Sequence, residues 1–155
     1  DEPSAALNLS MSDPSFKCYL MDTGLLISLA FKDRPILEND LYKQILLDRL
    51  QVNEGMLIEN LVSQCLRANG HPSYFYLERN SATRKTTLEI DFLIRQNKKI
   101  VPIEVKSSSS SSIKSLERFK EKYGSRIADG IVLYHGELKR EGTVVFLPYF
   151  MACVL

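Results

Sequence analysis

Apolar and polar residues alternate with strand periodicity over Leu88–Lys106, LEIDFLIRQNKKIVPIEVK. Side chains alternate faces along a strand. Ile90, Phe92 and Ile94 are therefore expected on one face of a first strand, Leu88–Arg95, and Val101, Ile103 and Val105 on one face of a second, Ile100–Lys106. Glu89, Asp91, Glu104 and Lys106 fall on the other face. The polar residues Gln96-Asn97-Lys98-Lys99 have hairpin-loop length. Whether the loop takes two residues or four, symmetric pairing sets Asp91 opposite Glu104 and Glu89 opposite Lys106.

Other elements follow from the same patterning. Leu57, Ile58, Leu61, Val62, Cys65 and Leu66 recur at helical spacing, predicting a helix over Glu54–Asn69 with Asn53 as cap and Gly70 as terminator. On that helix Glu59 lies at the edge of the apolar stripe, while Asn60 and Gln64 are expected to point away from it. Ser73–Leu77 reads as a strand, Arg79–Thr87 as a polar loop, and Ser107–Ser112 as a serine-rich loop. Ser112 is placed to cap a helix from Ile113 to Tyr123. Gly130–Tyr134 and Thr143–Leu147 are two further strands. Upstream, Leu25–Phe31 predicts a buried helix capped by Asp22 or Thr23, and Asn39–Leu50 a second. From Glu54 the order is helix, three strands, helix, strand (αβββαβ), which predicts an α/β fold with a mixed sheet flanked by helices.

With 155 residues, 45% of them apolar and 25% charged, the chain has the composition of one soluble globular domain. Phe16–Leu155 is that domain, and Asp1–Ser15, carrying Pro3 and Pro14, is a linker or N-terminal arm. A first residue of Asp rather than Met is expected of a fragment or processed product. The net charge of +1 gives no global attraction to nucleic acid, so a nucleic-acid site would have to be a local patch. The three cysteines, Cys18, Cys65 and Cys153, include no CxxC pair and argue against a zinc site or disulfide framework. A reducing cytoplasmic setting follows as the expectation. No apolar run has the length of a membrane span, so no membrane partner is expected.

Facing carboxylates on paired strands repel unless a cation lies between them. A charged solvent face explains Glu89 opposite Lys106, but it explains Asp91 opposite Glu104 poorly. Asp91 and Glu104, with the Val105 carbonyl, are therefore candidate ligands for Mg²⁺ or Mn²⁺. Lys106 is the candidate charged assistant, and Glu59 would orient it or serve a second ion. No phosphate-binding GxxxxGK[ST] loop, GxGxxG or GxSxG occurs, so no nucleotide is expected here. His71 and His135 each adjoin a glycine and read as turn residues.

Glu59 on a helix, Asp91 on one strand and Glu104-Val105-Lys106 on the next resemble the PD-(D/E)xK nuclease superfamily. Ile90 stands where that motif often has proline. A narrower resemblance rests on Tyr19-Leu20-Met21-Asp22-Thr23-Gly24-Leu25, Gly55-Met56-Leu57-Ile58-Glu59-Asn60, Glu89-Ile90-Asp91-Phe92, Val101–Ser107 and Leu147-Pro148, in that order. The set is similar to the C-terminal domain of unknown function of bacterial and archaeal AAA-type ATPases. The resemblance implies a restriction-endonuclease-like fold and a parent ATPase in the same polypeptide. It also implies action on DNA, with Glu59, Asp91, Glu104 and Lys106 as catalytic candidates. Arg79, Arg84, Lys85, Lys98 and Lys99 are candidate phosphate contacts, because backbone binding requires local cations. The competing expectation is a catalytically silent module that keeps the fold for DNA or protein recognition.

Overall fold

The computed structural model describes residues 16–30, 54–107 and 113–155. The arm over 1–15, the helix predicted over Asn39–Leu50 and the caps Asn53 and Ser112 lie outside them. Within them run helix α1 (Thr23–Ala30), helix α2 (Glu54–Ala68), strands β1 (Tyr74–Arg79), β2 (Thr86–Gln96) and β3 (Lys99–Lys106), and helix α3 (Lys114–Tyr123). Strands β4 (Gly130–Tyr134), β5 (Lys139–Glu141) and β6 (Val144–Pro148) follow, with 3₁₀ turns over Gly124–Arg126 and Tyr149–Val154. The predicted order from Glu54 is observed, and the short exposed strand β5 is an addition that its charged sequence, Lys-Arg-Glu, did not announce.

One mixed sheet of six strands runs β1-β2-β3-β4-β6-β5. β1, β2 and β3 are successive antiparallel neighbours, β3-β4 and β4-β6 are parallel, and β5 closes antiparallel on β6. The β2–β3 turn takes two residues, since Gln96 pairs with Lys99. Asn97 there has φ 58°, a left-handed conformation that asparagine tolerates better than most residues.

Helices cover both faces. Leu88, Ile90 and Leu93 pack with Leu116, Phe119 and Tyr123 of α3. Phe92, Ile94, Val101 and Ile103 pack with Val62 and Leu66 of α2. The Glu54–Ala68 helix ends as its sequence predicts. Gly70, at φ 83°, donates its N–H to the Arg67 carbonyl at 3.0 Å and His71 N donates to Leu66 O at 2.9 Å, a Schellman closure. Its faces depart from the expected stripe, however: Leu61 is 46% exposed, whereas Asn60 and Ser63 are buried.

The reason lies upstream. Asp22 caps α1, accepting Leu25 N–H on Oδ1 at 2.8 Å, and the chain before it lies along α2. Asn60 Oδ1 accepts Leu20 N–H at 2.8 Å, and Asn60 Nδ2 donates to Thr23 Oγ1 at 3.0 Å. Gln64 Nε2 donates to Leu20 O at 3.2 Å and to Thr23 Oγ1 at 2.8 Å. Asn60 and Gln64 therefore hold the 16–23 segment rather than pointing away from the fold. A buried amide without partners is costly, so this segment and α2 complete each other.

The cysteines are also closer than their spacing suggests. Cys65 on α2 and Cys153 in the last 3₁₀ turn are free thiols with their Sγ atoms 2.9 Å apart. Burial, then the neighbouring thiol, pushes Cys65 up to about 11. Among the described residues no helix is long and apolar enough to cross a membrane.

Asn60→Ala is expected to lower the unfolding free energy by about 1–3 kcal/mol, the cost of a buried amide network left incomplete. It should also open residues 16–23 to limited proteolysis. Leu61→Ala, on the exposed side of the same turn, should change stability by less than about 0.5 kcal/mol in the same urea titration. Equal losses for the two variants would contradict the role given to Asn60.

Candidate functional site

The site begins with an irregularity in β2. Pairing with β1 advances from Tyr74–Leu93 to Tyr76–Ile90, so β2 has one residue more than β1 over that step. An inserted residue twists and bends the strand that carries it. Its effect is visible in the core: Leu88 and Ile90 face α3, while Phe92 and Ile94 face α2. The expectation of Ile90, Phe92 and Ile94 on one face is thereby corrected, because alternation assumes an unbulged strand.

The same bend ends the β2–β3 ladder. Register follows the symmetric hairpin as far as Phe92–Ile103, one step short of Asp91 and Glu104. Beyond that step the Asp91 side chain takes over, with Oδ2 accepting the Val105 N–H at 2.9 Å. The strands part and leave a cleft of about 430 Å³ lined by Glu59, Glu89, Asp91, Glu104, Val105 and Lys106, among others. Gly55, one turn before Glu59 on α2, also lines it. The two carboxylates thus share a cleft without being a ladder pair. The expected contact between Glu89 and Lys106 does not form. Lys106 bonds Glu104 Oε2 instead, and its strand neighbour is Tyr134 of β4.

Glu89 is bound by a residue that the sequence reading did not place in the site. The Lys17 ammonium lies 3.0 Å from Glu59 Oε1, 2.9 Å from Glu89 Oε1 and 3.1 Å from Asp91 Oδ1. Burial lowers the affinity of this lysine for its proton, but Asp91, Glu89 and Glu59 outweigh that and hold it above the usual lysine value. Tyr19, two residues on, donates its hydroxyl to Glu59 Oε1 and packs its ring 5.4 Å from that of Phe92. Burial and then Glu59 raise the Tyr19 hydroxyl, which stays protonated. Tyr19 opens one of the ordered motifs, so a signal for this segment existed. Lys17 stands just ahead of that motif, within a run that reads as merely apolar. At the opposite side, the Tyr149 hydroxyl bonds the Lys106 carbonyl and fixes the end of β3.

Glu104 is the most buried member, with 5% of its side chain exposed. Burial, followed by the charge of Asp91, pushes its carboxyl up to about 7, while Lys106 pulls the other way. Four carboxylates, Glu59, Glu89, Asp91 and Glu104, thus meet two ammonium groups, Lys17 and Lys106. All the donors are oxygen, the chemistry that suits Mg²⁺, Mn²⁺ or Ca²⁺. The surplus negative charge matches a dication. As the side chains stand, the carboxylates close on ammonium groups, and among the described residues no three acidic, histidine or cysteine groups are disposed to hold a metal ion.

The candidate phosphate contacts are all exposed and divide between two ends of the sheet. Lys98 and Lys99 stand at the β2–β3 turn, where Lys99 pairs with Gln96, five residues along β2 from Asp91, or about 17 Å. Arg79, Arg84 and Lys85 flank the β1–β2 loop, at the end of β2 toward which β3 delivers Glu104 and Lys106. That loop is ordered by Asn80, whose Oδ1 accepts Ala82 and Thr83 N–H at 2.9 and 3.0 Å. The sequence grouped these five cations, and the fold separates them. His71 bonds the Leu155 carbonyl at 3.1 Å, well removed in the chain from the cleft residues.

A carboxyl that ionises near 7 in the fold and at 4.5 in the open chain binds more protons folded than unfolded between those values. Stability contributed by protonated Glu104 is therefore present at low pH and lost as pH rises through that window, by up to about 3 kcal/mol. Glu104→Gln should be more stable than wild type at pH 8 and nearly equal to it at pH 4, in urea unfolding at both values. A constant difference between the two proteins would place the burial cost elsewhere.

Residues 54–150 match the family model described as a domain of unknown function, DUF4143. No curated protein matches the chain, and no solved structure does. The matched span takes in α2, all six strands and every residue of the cleft except the Lys17 and Tyr19 that reach into it, and by that match the chain belongs to the DUF4143 family.

Proposed function

We propose that this is a nuclease-type domain that uses Mg²⁺ or Mn²⁺ to cleave DNA phosphodiesters, within the PD-(D/E)xK superfamily and its restriction-endonuclease-like fold. On the resemblance drawn above, it works as the C-terminal module of an AAA-type ATPase. The observation that carries the reading is that Asp91, Glu104 and Lys106 line one cleft at the point where β2 and β3 part, with Glu59 reaching it from α2. Strand ends that diverge beneath a helix give an extended phosphate backbone room to approach several side chains at once.

Asp91 and Glu104, with the Val105 carbonyl, would hold the ion, which would supply a water of lowered pKa and positive charge beside the phosphoryl oxygens. Asp91 is already oriented for this by the Val105 N–H on its other oxygen. Lys106 would position the attacking water and offset the charge that develops on the phosphate. Glu104 now holds Lys106, so one pairing keeps both groups in place before substrate arrives. Glu59, held by the Tyr19 hydroxyl, would orient Lys106 or serve a second ion. Among the cations, Arg84 and Lys85 are better placed than Lys98 and Lys99 to meet DNA that enters the cleft.

A second reading has its own observation. The ammonium of Lys17 among three carboxylates is also what a silent recognition module would look like, with an internal cation replacing the metal for good. The two separate in a cleavage assay on duplex, single-stranded and branched DNA with Mn²⁺. Metal-dependent cleavage is expected, abolished by chelator and reduced about 10²–10⁴-fold in Lys106→Ala. Asp91→Ala should weaken Mn²⁺ binding measured by calorimetry. DNA binding without cleavage of any form would favour the recognition module.

A further inference from the structure

The contact that sequence reasoning missed has the geometry of a competitor. Lys17 Nζ sits 2.9–3.1 Å from an oxygen of each of Glu59, Glu89 and Asp91. Two of these residues belong to the proposed metal site or its support. An ammonium is a compact point charge on a flexible four-carbon stem. A divalent ion placed on Asp91 would draw its oxygens to about 2.0–2.6 Å, and it would repel a second cation on the same carboxylate. With Asp91 Oδ2 taken by the Val105 N–H, the lysine and the ion compete for Asp91 Oδ1.

The segment that delivers Lys17 is held independently of it. Leu20 and Thr23 are tied to Asn60 and Gln64, and Tyr19 to Glu59. Met21, between these anchors, is 96% exposed and Phe16, beside Lys17, is 84% exposed, so neither neighbour has much burial to lose when the Lys17 side chain moves. The side chain can leave while the backbone stays.

Resting on the metal reading above, we propose that Lys17 is a built-in occluding cation: it holds Asp91, Glu59 and Glu89 until a divalent cation displaces its ammonium from the cleft. Lys17 thereby sets the metal concentration at which the cleft loads. It also offsets part of the negative charge of the acidic cluster in the absence of metal.

The test compares wild type and Lys17→Met by titration calorimetry with Mn²⁺ alone. The variant is expected to bind about tenfold more tightly, the factor produced when the competent arrangement is populated in about one molecule in ten. A second measurement needs no variant. Amine-directed acylation of the wild-type protein, read by peptide mass spectrometry, should show Lys17 labelled faster with saturating Mn²⁺ than without it. Equal affinities, or unchanged Lys17 labelling while Mn²⁺ binds, would overturn the displacement and leave the metal site standing. Weaker binding by Lys17→Met would overturn it too, making Lys17 a part of the loaded site. Absence of Mn²⁺ binding in both proteins would instead overturn the metal reading, and the competitor with it.

Discussion

A single side-chain hydrogen bond decides the character of this fold: the Asp91 carboxylate accepts the Val105 N–H that a regular β2–β3 ladder would have given to a backbone carbonyl. A buried backbone donor must find a partner. Because Asp91 supplies it, β2 and β3 can part without leaving an orphaned group between them. The cleft, the convergence of acidic residues and the access of α2 to the strand ends all depend on that substitution of side chain for main chain. The extra residue in β2 prepares it, by bending the strand at Asp91 and Phe92.

Charge follows from the opening. Gathering four carboxylates at one end of a sheet is unfavourable unless cations answer them, and Coulomb repulsion is stronger where water is excluded. The protein answers with lysines of two origins. Lys106 is local, two residues from Glu104 on the same strand. Lys17 comes from a distant part of the chain and bridges α2 to β2. Glu104, the most buried acid, is the one whose ionisation the arrangement leaves least supported.

Much of this was legible in the sequence, and the parts that were not share a cause. Strand alternation gave the hairpin and its register through Phe92–Ile103, because those features depend on local pattern, while it left the turn open at two residues or four, which the Gln96–Lys99 pair settles as two. Gly70 marked the end of α2 for the same reason. The bulge was invisible: Glu89-Ile90-Asp91-Phe92 carries no glycine or proline to announce an inserted residue, so faces were assigned as if the strand were regular. Asn60 and Gln64 read as solvent-facing because the polar residues they satisfy lie about forty positions upstream. Lys17, Tyr19 and the Cys65–Cys153 contact were missed on the same account. Periodicity reports the face a residue occupies, and long-range pairing must be built in three dimensions.

The attachment of residues 16–23 to α2 bears on where this domain begins. The family match starts at residue 54, yet Asn60, Gln64 and Glu59 find their partners ahead of that point. The physical unit is therefore larger than the unit of sequence similarity. Its outer piece carries an ammonium that bonds three carboxylates of its inner piece. A change in the course of residues 16–23 would be felt at Asp91 through Lys17. Segments just outside a recognisable domain are usually treated as connectors; here the connector contributes a charge to the centre.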